Sequence, residues 1–398
     1  MTDPLGQSQV IPYLKGLVEK GHEIFLISCE KKSGDTVEYK NILSLLRNNN
    51  IKWFPLKYTS KPLVLSTMND LRKIKKKARE IIETNAIEIV HCRSYIAALA
   101  GLSMKKKYSV KFVFDMRGFW ADERVDGMIW NLRNPVFKSV YSYFKRKEKE
   151  FFVNADYTIS LTENAKKIIL DWQLTPKPLK IQVIPCCADL DFFNTERINE
   201  EDKTKWMERL KISNSDFVLS YLGSLGTWYM PNEMLDFFKV LLQKQSNSKF
   251  LFITPDLPEM IIQMAEKKGI PAEKIIVQKA SRNEVPVLIA MSQISIFFIK
   301  PVFSKRASSP TKMGEIMGMG VPVICNSNVG DVDEIIEGSN GGYIIDSFDD
   351  PSYEKAIQSM NGLINIKPVE IRKSAEKYFS LQAGVNKYDM VYQSLGKL

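Results

Sequence analysis

The sequence has 398 residues, a formal net charge of +10 and 44% hydrophobic residues. This length suits two or three domains with sizeable cores, and the chain has no apolar run of about 18 residues that would predict a membrane-spanning helix. The first residues, MTDPLGQSQ, are polar and unlike a signal peptide. Five cysteines without metal-ligand spacing and only two histidines argue against a His-based metal site and favour buried thiols in a reducing cytoplasm. The basic charge favours phosphates, acidic polymers or an anionic membrane as partners, and we find no nucleic-acid-binding module.

Strand-like runs alternate with amphipathic helical stretches through almost the whole chain. A first set comprises HEIFLIS, IKWFPLK, IEIVHCRS, KFVFDMRG, ADYTISLT and KIQVIPCC, and a second comprises DFVLSYLGS, KFLFITPD, KIIVQKAS, ISIFFIKP, VPVICN and GGYIIDS. Their spacing is that of βα units and predicts an α/β protein with two parallel, doubly wound sheets. Apolar periodicity lapses over residues 189–203, which predicts domains at 1–194 and 195–380, followed by a final helix at 381–398. Open sheets bind ligands at the carboxyl ends of their strands, so we expect a cleft between the halves.

A basic amphipathic helix is predicted over residues 68–83. Its basic side chains are Arg72, Lys73, Lys75, Lys76, Lys77 and Arg79. Two interpretations stay open: a solvated helix face, or contact with anionic lipid headgroups, to which each basic residue contributes about 1 kcal/mol. Further basic clusters at 105–107 and 145–147 lie in the same half of the chain.

Polar side chains follow two predicted strands of the first half. His91 ends the run IEIVHCRS, either as a group that faces the ligand or as a hydrogen-bonded structural histidine. The stretch FDMRGFWADERVDG then offers Arg117, Trp120, Asp122 and Glu123. The Arg117 fork can hold a phosphate or a pair of sugar hydroxyls, Trp120 can stack on a sugar, and either carboxylate can take a proton from an attacking alcohol. The alternative is an internal Arg–Asp salt bridge that braces the loop.

The second half contains two segments suited to phosphate. The loop from Gly223 to Gly226 joins a strand to a helix, where backbone N–H groups meet phosphate. Trp228 and Tyr229 follow this loop and fit either stacking on a base or sugar, or core packing. A lone G-x-x-G pattern is a weak signal, and its position after a strand strengthens it.

The second segment is KRASSPTKMGEIMGMGVPVICNSNVGDVDE, which predicts a loop, a short helix and a buried strand. Ser308 and Ser309 are expected to cap the helix, with Pro310 at its first position. Lys312 adds a charge to a helix N-terminus that already favours phosphate, and Glu315, three residues on, can accept hydrogen bonds from a ribose. An exposed Lys–Glu pair of little energetic value is the alternative.

The stretch SPTKMGEIMGMGVPVI resembles the donor-sugar signature of glycosyltransferase family 4, a retaining family with the GT-B fold. In that fold two Rossmann-like, doubly wound domains face a central cleft, and the resemblance covers almost the whole chain. Glu315 matches the second Glu of the signature, which implies contact with the nucleotide ribose. The first Glu falls at Ala307, and the chain is similar to a subgroup with Ser-Pro-Thr-Lys at this point. The resemblance also implies that the final helix returns to the first domain.

Residue chemistry and resemblance together predict the site residues. Donor binding is expected at Gly6, Gly223, Ser224, Gly226, Thr227, Arg306, Ser308, Ser309, Thr311, Lys312 and Glu315; nucleobase contacts at Lys279, Ala280 and Arg282; catalysis at His91, Arg117, Asp122 and Glu123; and acceptor stacking at Trp120. Many family members place an Arg and a Lys in the glycine loop. This chain has neither between Gly223 and Tyr229, so Lys312, Arg306 or Lys305 is expected to supply the charge.

The chain begins inside the first glycine turn of the family, at Asp3-Pro4-Leu5-Gly6. The strand that precedes this turn in the family is central in its sheet, and its loss would leave the backbone groups of a neighbouring strand without partners. We therefore expect either that the true start lies upstream or that the chain is truncated.

We expect a retaining, metal-independent glycosyltransferase without a cofactor. It would move a sugar from a nucleotide-diphospho-sugar, a UDP- or GDP-sugar, to a hydroxyl of a glycan or lipid-linked acceptor in bacterial surface polysaccharide synthesis. The expected location is the cytoplasm, with peripheral contact at the inner face of the membrane if the basic helices touch lipid, and no nucleic acid as partner. Two alternatives are a sugar-nucleotide epimerase of the same fold, which the low histidine count disfavours, and a non-catalytic partner of an active transferase, which Ala307 and the absent Arg and Lys favour.

Overall fold

The computed structural model describes residues 1–31 and 36–396. The chain divides into two compact units: unit 1 comprises Met1–Pro185 and Leu381–Leu398, and unit 2 comprises Cys186–Ser380. The chain enters unit 2 earlier than the boundary after residue 194 that the sequence suggested. The reason is that Leu190 and Phe193, which lie within the stretch where periodicity lapses, are buried in the apolar core of unit 2.

Unit 1 is built on parallel strands. These are β1 (Ile24–Glu30), β2 (Ile51–Lys57), β3 (Ile89–Arg93), β4 (Lys111–Asp115), β5 (Tyr157–Ser160) and β6 (Ile181–Val183). β1 pairs with β2, while β3 to β6 form a four-stranded sheet in chain order. Among the described residues no ladder joins β1 to β3, so the single sheet expected in the first half is divided into two.

Unit 2 contains one six-stranded parallel sheet. Its strands are β7 (Phe217–Leu222), β8 (Ser248–Ile253), β9 (Ile275–Gln278), β10 (Ile294–Phe297), β11 (Val323–Asn326) and β12 (Gly342–Ile345). The strand order is β12-β11-β10-β7-β8-β9. Every residue of β7 and β10 is buried, as expected for parallel strands covered on both faces. The prediction of an α/β protein with parallel, Rossmann-like sheets is confirmed.

Helices connect the strands in both units. In unit 1 they are α1 (Pro4–Gln9), α2 (Ile11–Glu19), α3 (Val37–Asn48), α4 (Leu63–Thr84), α5 (Ser94–Lys107), α6 (Trp120–Asp126), α7 (Pro135–Asn154) and α8 (Glu163–Asp171). In unit 2 they are α9 (Glu200–Arg209), α10 (Pro231–Lys244), α11 (Pro258–Glu266), α12 (Val285–Ile289), α13 (Thr311–Gly318), α14 (Val332–Glu337), α15 (Asp350–Ile364) and α16 (Pro368–Phe379). The last helix, α17 (Leu381–Gly396), packs against α2 in unit 1. Within the described chain, no helix combines the length and the apolar character that crossing a bilayer requires.

Two local predictions about helix starts are wrong. Gly6 lies inside α1 rather than in a turn, and its N–H donates to the Oδ1 of the capping residue Asp3 at 2.6 Å. In unit 2 the N-cap of α13 is Pro310, without a side-chain capping bond. The hydroxyl of Ser309 instead accepts a hydrogen bond from the backbone N–H of Cys186 at 3.1 Å, so a tertiary contact replaces the expected cap.

Candidate functional site

The strand order of unit 2 indicates where a ligand binds. From β7 the chain proceeds outward through β8 and β9, and then returns to the other side of β7 to form β10. In open parallel sheets, ligands bind beyond the carboxyl ends of the strands at such a reversal. Gly223 follows β7 directly, and the segment that leads into α13 follows β10. The two segments that the sequence assigned to phosphate therefore lie at neighbouring strand ends.

Lys312 lies in the first turn of α13 and is only 8% exposed. Its Nζ donates to the Tyr221 Oη at 3.0 Å and lies 3.5 Å from the centre of the Tyr229 ring. A methyl group added to Gly223 would lie 3.1 Å from the same Nζ atom. The alternative interpretation, in which Lys312 and Glu315 form an exposed surface pair, therefore does not apply to this lysine. Its ammonium group is buried against aromatic rings and meets the loop after β7.

Burial and nearby charges shift the pKa values of Lys312 and Glu315. Burial lowers the pKa of Lys312 well below its ordinary value, and the carboxylates of Glu315 and Asp256 act against that shift. Burial raises the pKa of Glu315, and the cations Arg282 and Lys312 oppose it. An anion that entered beside the ammonium would favour its charged form.

The glycine loop (residues 223–227) has a backbone that suits close approach of a ligand. Gly223 has a φ of +103° and Gly226 a φ of +43°, in the left-handed region that L side chains rarely adopt. Ser224, Gly226 and Thr227 are exposed. Of the donor-binding residues predicted in this loop, Gly223 lies next to Lys312, although the two are far apart in sequence.

The glycine loop is held in place by two groups that the sequence analysis missed. The Oδ2 of Asp256, just after β8, accepts hydrogen bonds from the Leu225 N–H at 2.6 Å and from the Thr254 hydroxyl at 2.7 Å. The hydroxyl of Tyr221 donates to the carbonyl of Ser224 at 2.8 Å. The one available signal for Asp256 was its position at the end of the run KFLFITPD.

Lys305 differs from its neighbour Arg306 in burial. Lys305 is 6% exposed, and its Nζ lies 3.7 Å from the centre of the Trp228 ring, whereas Arg306 is exposed. Ser308 and Thr311, on either side of the α13 cap, are half-buried. Of the three cations expected to supply the charge, Lys312 approaches Gly223 of the glycine loop, and Lys305 lies against Trp228, just after it.

Arg282 lies near Glu315 and an aromatic ring. Its guanidinium carbon is 5.0 Å from the centre of the Phe192 ring, and its positive charge opposes the rise that burial causes in the pKa of Glu315. Lys279 is exposed and Ala280 half-buried, just after β9. The structure thus associates Arg282 with Glu315, the residue predicted to contact the ribose. The contact with Phe192 was not anticipated from the sequence.

In unit 1, His91 and Arg117 converge on the buried carboxylate of Asp115. The His91 Nε2 lies 3.4 Å from the Asp115 Oδ2, and the Arg117 guanidinium lies 3.8 Å from the Oδ1. The other ring nitrogen of His91, Nδ1, contacts the Tyr392 hydroxyl. Burial raises the pKa of Asp115, but Arg117, His91 and Arg93 outweigh it and lower the value to about 2.

Asp122 is part of a separate buried network. Its Oδ1 accepts from the Tyr141 hydroxyl and its Oδ2 from the Lys145 Nζ, both at 2.8 Å. Lys145 also binds the fully buried Glu148. The internal Arg–Asp salt bridge considered for this loop therefore exists between Arg117 and Asp115, and Lys145 from α7 forms a second bridge with Asp122.

Trp120 lies in an aromatic cluster. Its ring is 4.8 Å from Phe144, 5.3 Å from Trp130 and 5.7 Å from Tyr95, and the Arg124 guanidinium lies 5.1 Å away. This packing favours a structural role over sugar stacking. Glu123, in the first turn of α6, is half-buried, and its catalytic role stays a prediction.

The basic helix α4 carries both paired and exposed cations. Lys73 pairs with Asp70 and Lys77 with Glu80 within the helix. Three basic residues of α4 are exposed, namely Arg72, Lys76 and Arg79. Burial and the charge of Lys147 in α7 lower the pKa of Lys75.

Within residues 1–31 and 36–396, no group of three or more His, Cys, Asp and Glu side chains is arranged to hold a metal ion.

Comparison with known proteins places these features in a family. Residues 8–192 match the family model described as Glycosyltransferase Family 4, and residues 202–377 match the model described as Glycosyl transferases group 1. Comparison with individual curated sequences gave no significant match.

Solved structures share the fold at low sequence identity. Sucrose-phosphate synthase from Thermosynechococcus elongatus has a TM-score of 0.74 at 13% identity, over 96% of this chain and 91% of that one. A glycosyltransferase from Rickettsia africae gives 0.69 at 17% identity, over 99% and 97%. Anabaena Alr3699/HepE in complex with UDP and glucose gives 0.69 at 14% identity, over 98% of both chains.

Two Rossmann-like units and the fold shared with these solved structures define a protein with the GT-B fold. The matches of both halves show the family, which agrees with the resemblance of the SPTKMGE segment. The chain belongs to the family 4 type of glycosyltransferase.

Proposed function

We propose that this glycosyltransferase is a retaining enzyme that moves a sugar from a nucleotide-diphospho-sugar to a hydroxyl of a glycan or lipid-linked acceptor, in bacterial surface polysaccharide synthesis. The observation that carries the donor assignment is the buried ammonium of Lys312 against Gly223, at the strand reversal of unit 2. Neighbours of the same fold were crystallised with UDP and with UDP-glucose, which supports a UDP-sugar over the GDP-sugar also expected.

The donor site uses three kinds of contact. The Lys312 ammonium and the glycine loop hold the diphosphate, Glu315 accepts hydrogen bonds from the ribose, and Arg282 stacks on the nucleobase. Further donor contacts are assigned to Ser224, Gly226, Thr227, Arg306, Ser308, Ser309 and Thr311, and further base contacts to Lys279 and Ala280. Gly6 is the least supported member, because its N–H is bonded to Asp3.

In the reaction, the bond from the anomeric carbon to the β-phosphate oxygen breaks, and the acceptor oxygen forms a bond on the same face of the sugar. The acceptor proton passes to the leaving diphosphate, whose charge Lys312 neutralises. His91 and Arg117 are the candidates for orienting the acceptor. Asp122 and Trp120 are assigned to bracing because of their buried contacts.

The test is thermal-shift or calorimetric binding of UDP, GDP, ADP and CMP without added metal, followed by assays with the matching nucleotide-sugars. A ligand that binds the native state raises its apparent stability. We expect a selective response to one nucleoside diphosphate and sugar transfer that requires an acceptor. Epimerised donor without acceptor would indicate the epimerase, and binding without turnover would indicate a non-catalytic partner.

Replacing Glu315 by glutamine is expected to raise the donor KM about five- to tenfold with a smaller loss in kcat, because an amide offers one hydrogen-bond acceptor where the carboxylate offers two. Steady-state kinetics at varied donor concentration measure the effect. Asp346→Asn, at an exposed position of unit 2, serves as the matched control. An unchanged KM in Glu315→Gln would exclude the ribose role.

Nucleotide binding is expected to take up protons. Burial holds the pKa of Lys312 well below its ordinary value, and a diphosphate beside the Nζ raises it, because it favours the charged form. Between the free and bound pKa values, affinity therefore falls as pH rises. Calorimetry in two buffers of different ionisation enthalpy, from neutral to alkaline pH, measures the uptake. The same uptake in Lys312→Ala would assign it to another group.

We propose that the exposed basic face of α4 touches anionic lipid at the inner face of the membrane. Arg72 and Arg79 are exposed on this helix, and each charge near a lipid surface contributes about 1 kcal/mol. Arg72→Gln and Arg79→Gln should each lower partitioning onto phosphatidylglycerol vesicles about fivefold, with little binding to phosphatidylcholine. Lys355→Gln, exposed in unit 2, is the control. Equal partitioning of all variants would favour a solvated helix face.

A further inference from the structure

A second charged cluster lies in unit 1, at the carboxyl ends of two neighbouring parallel strands. β3 ends at Arg93 and β4 ends at Asp115, and these residues face each other in the ladder. Arg117 follows β4 closely. The Asp115 Oδ2 lies 3.8 Å from the Arg93 guanidinium, and the Oδ1 lies 3.8 Å from that of Arg117. Two guanidinium groups from adjacent strand ends thus approach one carboxylate.

The members of this cluster differ in depth. The Asp115 side chain is 2% exposed, whereas Arg117, His91 and Arg93 are 12%, 24% and 28% exposed. The carboxylate therefore lies beneath three cationic or potentially cationic side chains that reach the surface. Two guanidinium groups and an imidazole approach this one carboxylate, and their surface-exposed parts would attract an anion.

The cluster is braced from the last helix of the chain. The Tyr388 hydroxyl donates to the Asp115 Oδ2 at 3.1 Å, and the Tyr392 hydroxyl contacts His91. Both tyrosines are buried in unit 1. These contacts hold the carboxylate and the imidazole before any ligand arrives, so a ligand need not pay for ordering them.

The backbone at both strand ends adopts conformations that are rare for residues with side chains. Ser94, next to Arg93, has a φ of +70°, and Arg117 has a φ of +58° before Gly118. Each is unfavourable for a residue with a Cβ atom. Such conformations persist where the surroundings enforce them and are concentrated at ligand sites. Here they fix the backbone from which both arginine side chains extend.

We propose that Arg93 and Arg117 bind a phosphate ester carried by the acceptor, with Asp115 as the buried group that positions them. Two planar guanidinium forks offer paired N–H donors, the arrangement that matches the several oxygens of a phosphate. The anion site itself follows from unit 1 alone, while its assignment to the acceptor rests on the proposed glycosyl transfer.

The test is calorimetric titration of the full chain with glucose 6-phosphate, with glucose as the uncharged control, after unit 2 has been saturated with UDP. A second titration uses dihexanoyl phosphatidic acid below its micelle concentration. Binding of the sugar phosphate indicates a soluble phosphorylated acceptor, and preference for the lipid phosphate indicates a lipid-linked one. Either result supports the site.

We expect Arg93→Gln and Arg117→Gln each to weaken the bound phosphate about tenfold. Arg146→Gln, an exposed arginine of α7, is the control and should bind normally. Arg93→Lys and Arg117→Lys keep the positive charge beside Asp115 but lose the paired N–H donors of the guanidinium group. They therefore test phosphate binding even if the glutamine variants unfold. Unchanged UDP binding in all of these proteins separates this site from the donor site. Absence of phosphate binding, or equal binding by wild type and all four variants, would overturn the proposal.

Discussion

Replacing Lys312 by alanine is expected to lower kcat/KM roughly a hundredfold, which corresponds to a loss of about 3 kcal/mol of transition-state stabilisation. The Lys312 Nζ approaches Gly223 of the glycine loop, where we propose that the diphosphate leaving group develops charge. In a buried site such a charge acts with little screening from water. Steady-state kinetics with the donor selected by the nucleotide screen would measure the loss.

The matched control for this substitution is Lys355→Ala, at an exposed position of unit 2. Both variants must unfold at temperatures close to wild type for the comparison to report on chemistry. Near-normal turnover in a folded Lys312→Ala protein would exclude the donor site described above.

Replacing Gly223 by alanine is expected to weaken nucleoside diphosphate binding about 10- to 100-fold. Two effects combine: the left-handed φ of +103° is strained for alanine, and the new methyl group would lie 3.1 Å from the Lys312 Nζ. The ammonium must therefore shift by a few tenths of an ångström, and the methyl group occupies the side of the loop where the phosphate is proposed to bind. Calorimetric titration with UDP measures the effect directly.

Gly269→Ala separates these two effects. Gly269 also has a left-handed φ, of +76°, but nothing lies within 4 Å of an added methyl group. Both variants should lose about 1–2 kcal/mol of stability from backbone strain. Only Gly223→Ala should lose nucleotide affinity, and equal affinity in the two proteins would show that the loop does not contact the diphosphate.

The sheets were predictable because buried parallel strands have a strong sequence signature. Strands such as β7, FVLSYL, are apolar over almost their whole length and recur at βα spacing. The order of the strands was not encoded in any local pattern. That order brings Gly223 and Lys312 into contact, and it also brings Tyr221 and Asp256 to the loop. Sequence alone therefore identified the donor segments but not the groups that hold them.

Helix starts and carboxylate roles were less predictable for a different reason. Ser308, Ser309 and the following proline satisfy local capping rules, but the Ser309 hydroxyl binds a backbone N–H from a distant segment. In the sequence Asp122 resembles a catalytic carboxylate, but in the structure Lys145 of α7 donates a hydrogen bond to it. In each case a partner remote in sequence decides the role, and local propensity carries no information about it.

The placement of α17 has a consequence for how the protein is made. Unit 2 is one uninterrupted segment, whereas unit 1 needs Leu381–Gly396, which leave the ribosome after all of unit 2. Domains tend to fold in the order of synthesis. Here unit 1 emerges first but cannot complete its folding until α17 has been made, because Tyr388 and Tyr392 of that helix are buried in its interior. During translation we therefore expect the face of α2 that packs against α17 to stay uncovered until residues 381–396 have been made.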